Sequence, residues 1–207
     1  MCIRDRRGPG GVAAVSDSVL VHAAVECRPS AKDAFYFSFG ETVSPFDRNE
    51  ELIRLYWNVS ASGAPALLAS ITGELNRFQV PFSFKCLHRA VEYFRLDSAV
   101  LYLHRHYWPI ASRLLPRIHR HNAAELGSDG PPLTKPLAPG LNLAEDPGGG
   151  ASFGMHRCRI LARAVRELRF RPGADVFEEV SRQFSAAGLR LDAPFLNPGS
   201  QDLYDLG

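Results

Sequence analysis

The chain has 207 residues, of which 45% are apolar and 22% charged, the composition of one ordinary globular domain. Lys plus Arg number 24 against 22 Asp plus Glu, so the net charge of +2 lacks the basic excess expected of a nucleic-acid binder. No apolar run approaches the roughly 18 residues of a transmembrane helix, so the sequence predicts no membrane span.

Residues 1–14 (MCIRDRRGPGGVAA) are basic, rich in Gly and Pro and without periodicity, and read as a disordered tail. Three strand-like runs follow, at 19–26, 34–40 and 52–59. In the second, Phe35, Phe37 and Phe39 alternate with Tyr36 and Ser38, the period of a pleated strand. From Ala64 the spacing becomes helical. Leu67, Leu68, Ile71, Leu75 and Phe78 predict an amphipathic helix over 64–77, which Pro81 ends. Residues 82–87 return to strand, as do 98–103 (SAVLYL), whose nearly continuous apolar character predicts burial on both faces. A helix is expected over 107–124, with Ile110, Leu114, Leu115 and Ile118 on one face and Pro116 kinking or restarting it.

The stretch 126–151 holds Pro131, Pro132, Pro136, Pro139, Pro147 and three glycines from Gly148 to Gly150, and reads as a long stiffened loop. Helices are expected at 153–170, ended by Pro172 and Gly173, and at 174–187, capped by Gly188. Residues 194–207 read as irregular. The predicted fold is α+β: a single domain over 15–207, a mixed β-sheet packed by helices, with the long Pro/Gly-rich loop.

Only Lys32, Lys85 and Lys135 among the 24 basic residues are lysines. Lysine sheds its proton when desolvated and arginine does not, so each lysine is a candidate for proton transfer. Lys85 alternates with Phe84 and Cys86 on a predicted strand. It fits a partly buried general base, and equally an edge-strand side chain whose stem covers apolar surface while its ammonium stays wet. Lys135, between proline-restricted segments, fits a cation held toward a phosphate or carboxylate, or a solvated loop residue. The run from Gly148 to Cys158 (GGGASFGMHRC) leads glycines into a helix start with His156 and Arg157 in its first turns, a combination suited to an anion. It lacks the GK[ST] ending of a P-loop. HRH occurs at 104–106 and again at 119–121, but no neighbouring Cys or carboxylate completes a metal shell, so no metal is expected. The cysteines Cys2, Cys27, Cys86 and Cys158 form no CxxC pair, which points to a reducing, cytoplasmic setting.

Four stretches taken together, LYWNVSASGAPALLASITGELNR, VPFSFKCL, LTKPLAPGLNLAEDPGGGASFGMHRCRILA and FLNPGSQDLYD, resemble the HopA-type effector family of bacterial type III secretion. Relatives of that family occur in class V lanthipeptide and thioamitide gene clusters. There a kinase-like partner phosphorylates Ser or Thr of a precursor peptide, and the HopA-like protein is thought to eliminate the phosphate. The resemblance covers about residues 34–205. It implies a phosphoserine/phosphothreonine lyase that needs no cofactor and yields dehydroalanine or dehydrobutyrine, and a setting in the bacterial cytoplasm or, for an effector, delivery into a host cell. Family members are often longer at the N-terminus, and MCIRDR looks like translated sequencing-adaptor sequence, so the natural start is expected to be missing. By analogy with phosphothreonine lyases, Lys85 would be the base and His156 the acid. Lys135, Arg157 and Arg105 would hold phosphate, and Tyr56 and Asn58 would orient the peptide. Two further readings stand beside this one: a non-catalytic effector or leader-peptide binding module, and a cyclase using Cys158 or Cys86 after dehydration.

Overall fold

The computed structural model describes residues 12–16, 19–22, 35–42, 51–171 and 173–206. Strand β1 (Val12–Ser16) pairs antiparallel with β2 (Val19–His22) as a separate hairpin. The first strand thus takes in the last three residues of the expected tail, and its Val12 and Val15 favour extended backbone. Residues 1–11 of that tail, and 23–26 of the predicted strand, lie outside the described residues.

The main sheet has six strands: β3 (Phe35–Phe39), β4 (Leu52–Trp57), β5 (Ser83–Leu87), β6 (Ala99–His104), β7 (Lys135–Ala138) and β8 (Leu141–Glu145). Their spatial order is β3-β5-β6-β4-β8-β7, and each neighbouring pair is antiparallel. Four helices complete an α+β domain: α1 (Ala64–Arg77), α2 (Trp108–Asn122), α3 (Phe153–Leu168) and α4 (Val176–Ala186).

Register sorts the side chains of the sheet. Trp57, Leu55 and Ile53 stand opposite Ala99, Leu101 and Leu103 on one side and Leu141, Leu143 and Glu145 on the other. With Phe84 they line the face that shares one core with Leu67, Ile71 and Leu75 of α1 and Ala111, Leu115 and Ile118 of α2. The helical spacing of those residues puts their side chains on one stripe, and its burial against the sheet is what fixes both helices. The opposite face carries Phe35, Phe37, Lys85, Val100, Tyr102, Arg54, Tyr56 and Asn142.

Two expectations are corrected. Of the kink or restart expected at Pro116, the restart is excluded, because the helix Trp108–Asn122 runs through it. The proline removes one amide donor from the ladder, and the buried Ala111, Leu115 and Ile118 on either side hold the helix together regardless. The stretch 126–151 is not a loop throughout, because it contains β7 and β8. All five residues of β8 are buried, Asn142 and Glu145 included. Those two polar residues hide the apolar pattern of a strand covered on both faces. The hairpin turns at Pro139 and Gly140. Gly140 has φ +68°, and a Cβ there would stand 2.3 Å from the Gly127 carbonyl oxygen, so only glycine closes this turn.

The C-terminal segment is irregular, as expected, yet it is part of the core: Phe195, Leu196 and Tyr204 are buried. The buried Glu145 carboxylate accepts bonds from the Tyr204 hydroxyl (2.6 Å) and the Asn197 amide (2.6 Å) and so ties the segment to β8.

Candidate active site

Strand alternation brings a line of cations and rings onto the sheet face away from α1 and α2. Lys85, partly exposed on β5, has its Nζ 4.2 Å from the centre of the Phe35 ring and 5.6 Å from that of Tyr102. On the far side of Tyr102 lies the Arg54 guanidinium, 5.4 Å from the same ring. On Phe35 lies a second arginine, Arg95, at 5.5 Å. Three positive charges thus share two rings, Arg54 and Lys85 on Tyr102 and Lys85 and Arg95 on Phe35.

The two arginines are each held by a carboxylate. Arg54 donates from Nε to Asp146 (2.7 Å) and from Nη2 to the Ala151 carbonyl (2.9 Å). Burial opposes its charge, but Tyr102, Asp146 and Tyr56 together outweigh that, and its pKa is raised. Arg95 grips both oxygens of Asp97, at 2.9 Å each. Lys85 has no carboxylate partner among the described residues. Tyr56, beside Arg54 on β4, is buried against Phe153 at 6.4 Å, and burial pushes its hydroxyl up to about 12.

Of the residues expected from sequence, Lys85 and Tyr56 share this face; the others do other work. Lys135 lies four strands from β5, on the order of 19 Å away at the usual strand spacing. Its ammonium donates to both oxygens of Asp202 (2.8 Å) and to Asp205 (3.0 Å). Burial opposes the charge, but these two carboxylates raise its pKa, so its donors serve as a latch on the C-terminal segment. Arg157 is completely buried, stacks 4.8 Å from Phe153, and donates to the carbonyls of Pro194 (2.7 Å) and Leu196 (2.8 Å). With Nη1 on His156 as well, all three nitrogens of this fully enclosed guanidinium are engaged, so Arg157 pins the chain and has no free nitrogen left for a phosphate.

His156 Nδ1 lies 2.7 Å from Arg157 Nη1. Arginine only donates, so Nδ1 accepts and the imidazole is the neutral Nε2–H tautomer. Its pKa is lowered by burial and by Arg157, Arg159 and Arg163, the reverse of what a general acid needs. Asn58 donates to the Asp129 carbonyl (3.0 Å) and its backbone pairs with Gly127 and Gly140, which fastens the segment before β7 and the turn after it. Arg105 pairs with Glu51 (2.9 Å) at a separate cleft of about 710 Å³ lined also by His104, His106, Trp108 and Tyr204. Among the described residues no three His, Cys, Asp or Glu side chains gather as metal ligands. Cys86 is buried with its thiol pushed up to about 11, which opposes a thiolate, while Cys158 is exposed.

Arg54, Tyr102, Phe35 and Arg95 are the members of this line that sequence reasoning missed. Arg54 had a signal: an arginine within the otherwise apolar run LIRLYW, two residues from Tyr56 and on the same face. Arg95 sits between β5 and β6 with no periodicity to place it.

A family model described as the HopA1 effector protein family matches residues 27–196, and the chain belongs to that family. Among solved structures it is similar to an effector protein from Pseudomonas syringae pv. tomato strain DC3000. The TM-score is 0.65 with 22% identity, covering 81% of this chain and 65% of that one. It is also similar to an effector protein from Pseudomonas syringae pv. syringae strain 61, with TM-score 0.56 and 16% identity, covering 79% and 62%. At these identities the likeness is one of fold, and the chain spans under two thirds of either effector's length. No curated protein matches the chain. No helix of the described residues is long and apolar enough to cross a membrane.

Proposed function

We propose that this member of the HopA1 effector protein family is a phosphoserine/phosphothreonine lyase acting on a phosphorylated peptide, with Lys85 as the base. The observation that carries the reading is the position of Lys85. It lies on the partly open sheet face, between two rings, with no carboxylate partner among the described residues and with an arginine on each of the two rings. A phosphate dianion bound toward Arg54 and the Tyr102 hydroxyl would leave the adjoining Cα–H facing Lys85.

In the reaction the free amine of Lys85 takes the Cα proton. The C–H electron pair forms the Cα=Cβ bond, and the Cβ–O bond breaks with its pair going to the phosphate oxygen. Inorganic phosphate and a dehydrated residue are the products, and the lysine later returns its proton to water. Phosphate is a good leaving group once its charge is met by a guanidinium, so no separate imidazole acid is needed. In this scheme His156 and Arg157 support the fold, Lys135 is a latch, and Arg54 takes the phosphate-binding role that the resemblance gave to Arg157. A kinase-like protein would supply the phosphorylated substrate.

The test is mass spectrometry of a phosphothreonine peptide incubated with the protein. Loss of the elements of phosphoric acid, leaving dehydrobutyrine, supports the lyase. Recovery of the free hydroxyl would mean a phosphatase. A peptide that binds, as read by fluorescence anisotropy, but is returned unchanged would make the sheet face a binding module.

A further inference from the structure

The line of charges is longer than one phosphate requires. Lys85 and Arg95 approach the same ring, at 4.2 and 5.5 Å from its centre, so these two cations are at most about 10 Å apart. The ring face offsets only part of their mutual repulsion. An anion between or beside them relieves the rest. Arg95 is also preorganised: Nε and Nη2 are fixed by the two Asp97 oxygens, and these bonds leave Nη1 unused. Its side chain remains 40% exposed. Arg54 is also backed by an aspartate and makes no bond from Nη1 among the described residues, but its side chain is only 10% exposed and a second donor is held by the Ala151 carbonyl.

We propose that Arg95 and the partly exposed Phe35 ring form a second anion subsite, which reads an acidic side chain two residues from the phosphorylated one. The inference rests on the phosphopeptide reading of this face. In an extended peptide, residues two apart point the same way and lie about 7 Å from one another. With the phosphate at Arg54 and the reacting carbon at Lys85, a carboxylate two residues along on the Phe35 side falls within reach of Nη1. A simple loop clip made by Arg95 and Asp97 would have no such consequence for substrate choice.

The experiment compares phosphothreonine peptides carrying Glu or Gln two residues before or two residues after the phosphorylated position. Both KM for phosphate release and Kd of the fluorescein-labelled peptides are measured. We expect one of the two Glu peptides to have KM and Kd about two- to fivefold lower than its Gln counterpart, the scale of an exposed charge pair. Arg95→Gln should remove that preference, and Arg95→Lys should restore part of it. Equal constants for Glu and Gln peptides, or a preference that survives Arg95→Gln, would overturn the subsite and leave the lyase standing. Discrimination in Kd with no phosphate released from any peptide would sink the lyase reading and keep the subsite.

Discussion

Lys85 and Lys135 show how the same residue type is put to opposite uses by its neighbours. Two aspartates hold the proton on Lys135, whereas the partners of Lys85 among the described residues are the Phe35 and Tyr102 rings, with guanidinium groups on the same rings. Replacing Lys85 by Arg keeps the charge and the contact with Phe35 but removes a base that can be deprotonated. We therefore expect Lys85→Arg to lower phosphate release by roughly two orders of magnitude or more, with the melting temperature nearly unchanged. Full activity in that variant would exclude the lysine as base. His156 supports a prediction in pH. Its folded pKa lies below the unfolded value of about 6.5, so the unfolded chain takes up the proton first as the pH falls. The neutral ring favours the native state above that value, and stability is lost progressively as the pH drops below about 6.5. Thermal melts of wild type and His156→Gln between pH 7.5 and 5 check this: the difference between them should change in the variant's favour on acidification.

At the level of elements, β8 decides the most. It joins β4 to β7 and carries Glu145, and Asp146 directly after it fixes Arg54 on the opposite face. Its hairpin partner is brought back by the Pro139 and Gly140 turn. Gly140→Ala should cost more than about 1 kcal/mol from backbone conformation alone, with further loss because the new Cβ meets a carbonyl oxygen. Urea denaturation gives the magnitude. A change below a few tenths of a kcal/mol would mean that the turn adopts another conformation. The helices present a simpler case. Ile71, fully buried on α1, faces the sheet core, and Ile71→Ala is expected to cost about 2–5 kcal/mol in the same assay.

For the whole molecule, the closing contacts come from the last residues of the chain. Arg157 holds the carbonyls of Pro194 and Leu196, Glu145 holds Asn197 and Tyr204, and Lys135 holds Asp202 and Asp205. Sites on α3, β8 and β7 thus grip one irregular segment at successive points. Arg157→Leu preserves apolar bulk but leaves two carbonyls without their donors, each at a cost of about 1–3 kcal/mol where no water replaces the bond. The expected result is a lower melting temperature together with faster proteolysis after residue 193. A variant that resists protease like the wild type would show that the other two anchors suffice.

Local periodicity was enough to place six described segments that the structure confirms as β3, β4, α1, β5, β6 and α2, because an amphipathic stripe or an alternating strand repeats within a few residues. The scarcity of lysine put Lys85 and Lys135 forward alike and did not separate the residue on the open sheet face from the one held by two aspartates. What the sequence by itself could not determine depends on partners far along the chain. Asn142 and Glu145 look like loop residues until Tyr204 and Asn197, more than fifty positions away, satisfy the carboxylate and make a buried polar strand possible. His156 and Arg157 look like an anion site until the carbonyls of residues 194 and 196 enclose the guanidinium. Arg54 and Arg95 join Lys85 only when four strands are laid side by side in the order β3-β5-β6-β4. Burial of apolar stripes is a local property of sequence. The pairing of buried charges and the assembly of a face across strands are properties of tertiary contact, and only the folded chain decides them.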